Sequence, residues 1–148
     1  MRLILWGMFK KIVVADMAAL YVDAVFAGIQ DCSGLTVLAA IFLFTMQIYG
    51  DFAGYSDVAR GTAMIFGFDL MKNFSAPYFS SSVKEFWQRW HISLSTWLRD
   101  YIYVPLGGNR KGFVRKCINI FIVFSVSGLW HGANMTFCLW GGDMGYAE

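Results

Sequence analysis

Two long stretches of this chain carry no charged side chain, one from Cys32 to Gly50 and one from Cys117 to Gly142. A hydrocarbon core of about 30 Å is crossed by about 20 residues of helix, and both stretches are of that order. No other feature limits the fold as tightly, because lipid admits only segments that satisfy their own backbone hydrogen bonds. Composition agrees. Of 148 residues, 57% are hydrophobic and 15% charged, with a mean hydropathy of +0.51. Ordinary globular chains are about 45–50% apolar and about 25% charged. Too few charges remain to clothe a soluble globule. The expected class is an all-α integral membrane protein with three or four spans and one interfacial helix.

The net charge of +2 gives no reason to expect a nucleic-acid partner. Its distribution is more informative. Arg110, Lys111, Arg115 and Lys116 precede the second uncharged stretch with no acidic residue among them, and short basic loops beside spans lie mainly on the cytoplasmic side. Cys32, Cys117 and Cys138 are odd in number and widely spaced, which suggests neither a disulfide framework nor a zinc site.

Residues 3 to 29 are apolar but interrupted by Lys10, Lys11, Asp16 and Asp23. They read as one tilted helix or as two shorter pieces. "DCSG" at 31–34 is a turn with helix-capping residues. Beyond Gly50 the apolar pattern continues with glycines, and Asp57 and Arg60 stand three apart, a spacing at which they can pair on one helix face. "DLMKNFSAPYFSSS" at 69–82 reads as a polar elbow that caps the next helix.

That helix is expected over "VKEFWQRWHISLSTWLRDYIY", residues 83–103. At about 100° per residue, Phe86, Trp87, Trp90, Leu94, Trp97, Leu98 and Tyr101 share an arc of about 120°, with His91 at its rim. An aromatic and basic amphipathic helix suits the membrane interface or the wall of a wet cavity. The last span is expected from about Cys117 to Trp140, with Gly128 and Gly132 as a small-residue pair.

The chain has two histidines, His91 and His131, and each follows a tryptophan. With the basic loop at the cytoplasmic face, His131 lies about 15 residues, or about 22 Å, along the last span. Ionisable residues at such depth usually face a cavity or the bundle interior. A buried neutral imidazole suits a general base, a proton relay in a transporter, or a structural bond to a neighbouring helix. Neither histidine has metal-ligand spacing, so no metal is expected.

"YGDFAGYSDVARGTAMIFGF", "NFSAPYFSSSVKEFWQRWHISLSTWLRDYIYVPLGGNR" and "SGLWHGAN" occur in this order. Together they closely resemble the membrane-bound O-acyltransferase family, in particular its bacterial alginate O-acetylation type. The resemblance begins near "GMFKKIVVAD" and takes in most of the chain, with one departure at Met144, where relatives often carry histidine.

It implies a multi-span helical bundle forming part of a ring of tilted helices around a tunnel, within the bacterial inner membrane. Residues 1–148 then form a partial domain of that kind, with flanking helices missing on both sides. By resemblance, the catalytic residues are His131 and His91. The acyl donor is a cytoplasmic thioester such as acetyl-CoA, with no bound cofactor. The acceptor is an extracytoplasmic polysaccharide, reached with periplasmic acetyltransferase partners. A proton-coupled transporter and a non-catalytic subunit of an acylation complex are the competing readings.

Overall fold

The computed structural model describes the backbone of residues 1–131 and side chains through Leu129. The side chains of Trp130 and His131, and residues 132–148 with Gly132, Cys138 and Met144, lie outside the described residues. Among the described residues the regular structure is entirely helical. The chain divides into two compact units, Met1–Lys72 and the part from Asn73 onward.

In the first unit, α1 (Arg2–Met8) passes without a break into a π-helical segment, Phe9–Asp16, and then into α2 (Met17–Ala27). The interrupted apolar stretch is therefore one helical run whose central turns are widened. Hydrogen bonds from i to i+5 bring residues five apart onto one face, and Lys11 and Asp16 form an ion pair at 2.9 Å across that interval. The chain leaves α2 through Gly28 and a 3-10 turn, Ile29–Asp31. Ser33 then starts α3 (Gly34–Ile65) as expected of "DCSG", its hydroxyl accepting from the Thr36 N–H at 3.2 Å.

At 1.5 Å per residue α3 is about 48 Å long. It is the one described helix long and apolar enough to cross a membrane by length and composition. Three or four spans are thus not reached within the described residues. Its apolar side chains are largely uncovered, Leu35 at 79% and Leu38 at 64% exposed among them. Exposed apolar surface of this extent is a liability in water and ordinary in lipid.

The other face of α3 packs against α1, the π segment and α2. Glycine makes the approach possible. A Cβ at Gly54 would lie 2.7 Å from the Gly7 carbonyl oxygen, and one at Gly7 would lie 2.6 Å from that of Gly54. Gly50 and Gly61 press on Lys10 and Ile4 in the same way. Small residues at such spacing let helix backbones touch, the usual means of association where no hydrophobic effect operates.

Charges cross the same contact. Lys10 Nζ meets Asp57 Oδ2 at 2.7 Å, and Lys11 Nζ meets Asp51 Oδ1 at 2.7 Å. The expected pairing of Asp57 with Arg60 does not form. Arg60 Nε instead donates to the Leu70 carbonyl at 3.0 Å. A lysine from the neighbouring helix reaches Asp57 where the shared helix face alone suggested arginine.

The second unit holds the elbow and everything built on it. Ala76 takes a left-handed φ of 48°, and Pro77–Phe79 forms a 3-10 turn. α4 (Val83–Arg89) follows, capped by Ser82, whose hydroxyl accepts from the Glu85 N–H at 3.2 Å. Residues 83–103 do not form the single helix expected of them. It breaks at Trp90, which is extended, and at His91, whose φ of 42° is left-handed, before α5 (Ile92–Leu98) begins. A π-helical segment, Arg99–Tyr103, continues α5.

The break divides the expected aromatic arc. Phe86, Trp87 and Trp90 join Phe74 and Tyr78 in a cluster, with Phe86 stacked on Trp90 at 5.5 Å. Trp97 and Tyr101 lie together on the exposed side, 5.5 Å apart. Beyond a turn with left-handed Gly107, Gly108 and Gly112, α6 (Phe113–His131) begins. Trp87 meets Phe124 of α6 edge-on at 5.2 Å. Asn119 of α6, fully buried, donates to the Gly108 carbonyl at 2.8 Å and so pins the basic turn to the helix.

Candidate functional site

His91 stands at the corner between α4 and α5, with neither helix imposing its conformation. A left-handed backbone costs a non-glycine residue roughly 1–2 kcal/mol, so the surroundings must hold it. They do so through backbone hydrogen bonds. The Arg89 carbonyl accepts from the Ser75 N–H at 3.0 Å, and the Trp90 carbonyl accepts from the Ser95 hydroxyl at 3.0 Å. On the other side, the Ile92 N–H donates to the Asn73 carbonyl at 3.0 Å, and the Ser93 N–H donates to Asn73 Oδ1 at 3.1 Å.

The His91 side chain is half-buried, and the Ser93 hydroxyl lies 3.4 Å from its Nδ1, at the far end of hydrogen-bonding range. Beside it, Trp90 meets the ring of Phe74 edge-on at 5.0 Å. Trp90 also stacks on Phe86 at 5.5 Å. An imidazole held at a corner by fixed backbone, with a hydroxyl at one ring nitrogen, can exchange a proton with a bound group. Strained backbone of this kind clusters at functional sites.

His131 closes the described part of α6. Its backbone is helical, 15 residues and so about 22 Å along the axis from Lys116. Its side chain is outside the described residues. Ser127 and the buried Gly128 precede it by one turn of the same helix. The two histidines therefore belong to elements of one unit, α6 and the α4–α5 corner, which meet through Trp87 and Phe124. Among the described residues no group of three His, Cys, Asp or Glu side chains could hold a metal.

Sequence reasoning missed the residues that support the corner. Asn73 and Ser75 act across intervals of 20 and 14 residues, and no local pattern announces them. One readable signal was the S-x-x-E sequence Ser82–Glu85, a capping box. Here the Glu85 carboxylate reaches back to the Ser81 N–H and hydroxyl, at 2.8 and 2.7 Å, and pairs with Arg89. Those hydrogen bonds from Ser81, the backbone one above all, hold its carboxyl below the usual range.

A helical protein whose apolar helix faces are left uncovered to this extent suits a bilayer. The chain belongs to the membrane-bound O-acyltransferase family, whose model matches residues 5–146. It is 50% identical over 135 residues to the probable alginate O-acetylase AlgI of Pseudomonas fluorescens, covering 91% of this chain and 27% of that protein. It is 41% identical to the peptidoglycan O-acetyltransferase of Helicobacter pylori, over 91% of this chain and 26% of the relative. With the teichoic acid D-alanyltransferase of Bacillus subtilis it shares 33% identity, over 70% of the chain and 28% of the relative. The chain thus spans about a quarter of the length of the curated relatives it matches.

Proposed function

We propose that this chain is the histidine-bearing part of a longer multi-span domain in the bacterial inner membrane. That domain is a ring of helices around a tunnel. It transfers an acetyl group from a cytoplasmic thioester, such as acetyl-CoA, towards hydroxyls of an extracytoplasmic, alginate-like polysaccharide. Periplasmic acetyltransferases assist in the hand-over. The observation that carries this reading is the family match from residue 5 to 146, which takes in both histidine-bearing segments. Relatives named as an O-acetylase and an O-acetyltransferase, at 50% and 41% identity, favour acetyl over the D-alanyl group of the 33% relative.

In this reading His131 is the general base. It takes the proton of an acceptor hydroxyl as the oxygen attacks the thioester carbonyl. The carbon–sulfur bond breaks, and the departing thiolate recovers the proton from the imidazolium. Such proton transfer contributes about 10²–10⁴-fold, so positioning of the two substrates supplies the rest. His91 assists from the α4–α5 corner.

The test is polysaccharide O-acetylation by membranes carrying His131→Ala or His91→Ala, with expression and insertion checked in parallel. His131→Ala is expected to abolish acetylation while the protein remains inserted. Acetylation at the unsubstituted level would remove His131 as the base. Uptake that depends on a proton gradient, without acetyl transfer, would favour a transporter instead.

A further inference from the structure

Asn73 lies in the elbow, outside every helix, yet two of its atoms serve the first turn of α5. A helix leaves its first N–H groups without partners, and a side chain of the residue at its start usually supplies one acceptor. The residue at the start of α5 is His91, and its side chain makes no such bond. Asn73 does the work from 20 residues away. Its backbone carbonyl accepts from the Ile92 N–H at 3.0 Å and its Oδ1 from the Ser93 N–H at 3.1 Å. The next two residues lock the same segment in place. Phe74 is buried against Trp90, and the Ser75 N–H donates to the Arg89 carbonyl. Backbone groups on both sides of His91 are thus tied to one short irregular stretch, residues 73–75.

We propose that Asn73 is a positioning residue. It caps α5 from outside and thereby fixes the left-handed backbone of His91 and the direction of its imidazole. This rests on the reading above, in which His91 takes part in acetyl transfer. Asn73 touches no reacting atom; it acts through His91.

The experiment compares Asn73→Ala, which removes the side-chain acceptor, with Asn73→Asp, which keeps it, in membranes carrying the protein as expressed. Each is assayed for O-acetylation and for amide hydrogen exchange, with His91→Ala alongside. Asn73→Ala is expected to speed exchange at Ile92 and Ser93 and to lower kcat roughly ten- to hundredfold, the scale of a misplaced catalytic group. KM for the acetyl donor should stay near the unsubstituted value. Asn73→Asp should restore both readouts. Should Asn73→Ala not accumulate, Asn73→Gln displaces the acceptor by one methylene and is expected to show the same kcat loss.

Faster exchange with unchanged kcat overturns the positioning role, and unchanged exchange overturns the cap itself. Loss of KM and kcat together, unrescued by aspartate, overturns it as well. Full activity in His91→Ala removes the underlying reading instead, and that result is distinct because it appears in the histidine variant.

Discussion

A methyl group at Gly54 should loosen the first unit, although it would favour the helix that carries it. The added Cβ would lie 2.7 Å from the Gly7 carbonyl oxygen, 3.1 Å from the Lys11 backbone nitrogen and 3.3 Å from Lys10 Cβ. The two shortest contacts are with backbone, so no side chain can rotate aside and the helices must part. A gap of about 0.5–1 Å forfeits about a quarter to a half of each dispersion contact, and overpacking generally costs about 1–3 kcal/mol. Alanine recovers about 1 kcal/mol over glycine in a helix interior. The net expectation for Gly54→Ala is a loss of about 1 kcal/mol, and up to about 2 kcal/mol where the two helix backbones cannot move apart. Gly34→Ala is the control, because a Cβ there meets nothing within 4 Å. Unfolding of the detergent-solubilised protein, followed by circular dichroism, gives the comparison. If Gly54→Ala proves as stable as Gly34→Ala, helix propensity outweighs backbone contact, and glycine packing does not hold these helices together.

Two further expectations concern charge. Lys10→Met and Asp57→Leu should each destabilise the protein, while the double variant recovers most of the loss. The coupling should be about 1–2 kcal/mol for a pair 18% and 16% exposed, between the values for surface and fully buried pairs; simple additivity in the same unfolding assay would refute it. The Glu85 carboxyl is held below its usual range by Ser81, so its help to the first turn of α4 is complete above the unfolded-state range. That help is lost as pH falls through the lowered folded value. Amide exchange in α4 should rise over that acidic interval and lose this dependence in Glu85→Gln. An identical profile in the glutamine variant would show that another group titrates.

Local chemistry made much of this chain readable. Ser33 of "DCSG" is a helix cap, the serine-rich elbow delivers Ser82 to α4, and the second uncharged stretch is helical as far as the described backbone runs, to His131. What escaped depends on distance along the chain. Asp57 has Arg60 three residues away and Lys10 forty-seven away, and the distant partner wins because glycine brings the helices together. The helical wheel over 83–103 fails for a related reason. Its residues suit a helix throughout, and the break at His91 is stabilised by Asn73 and Ser75, which a local pattern does not weigh. The widened turns at Phe9–Asp16 have no local signal either, and they set Lys11 opposite both Asp16 and Asp51.

The length of α3 fixes a waterline. With Gly34 at one boundary of the hydrocarbon, Asp57 stands about 35 Å along the axis, beyond a core of about 30 Å even at the average tilt of about 20°. Asp51, at about 26 Å, sits just inside the far boundary. Lys10, which meets Asp57, then lies at headgroup depth, where phosphates and water can compete for it, while Lys11 meets Asp51 just inside the boundary. The ion pairs become a depth gauge that resists vertical sliding of the helices, and a bilayer thicker by about 5 Å would draw Lys10 and Asp57 into hydrocarbon after Lys11 and Asp51.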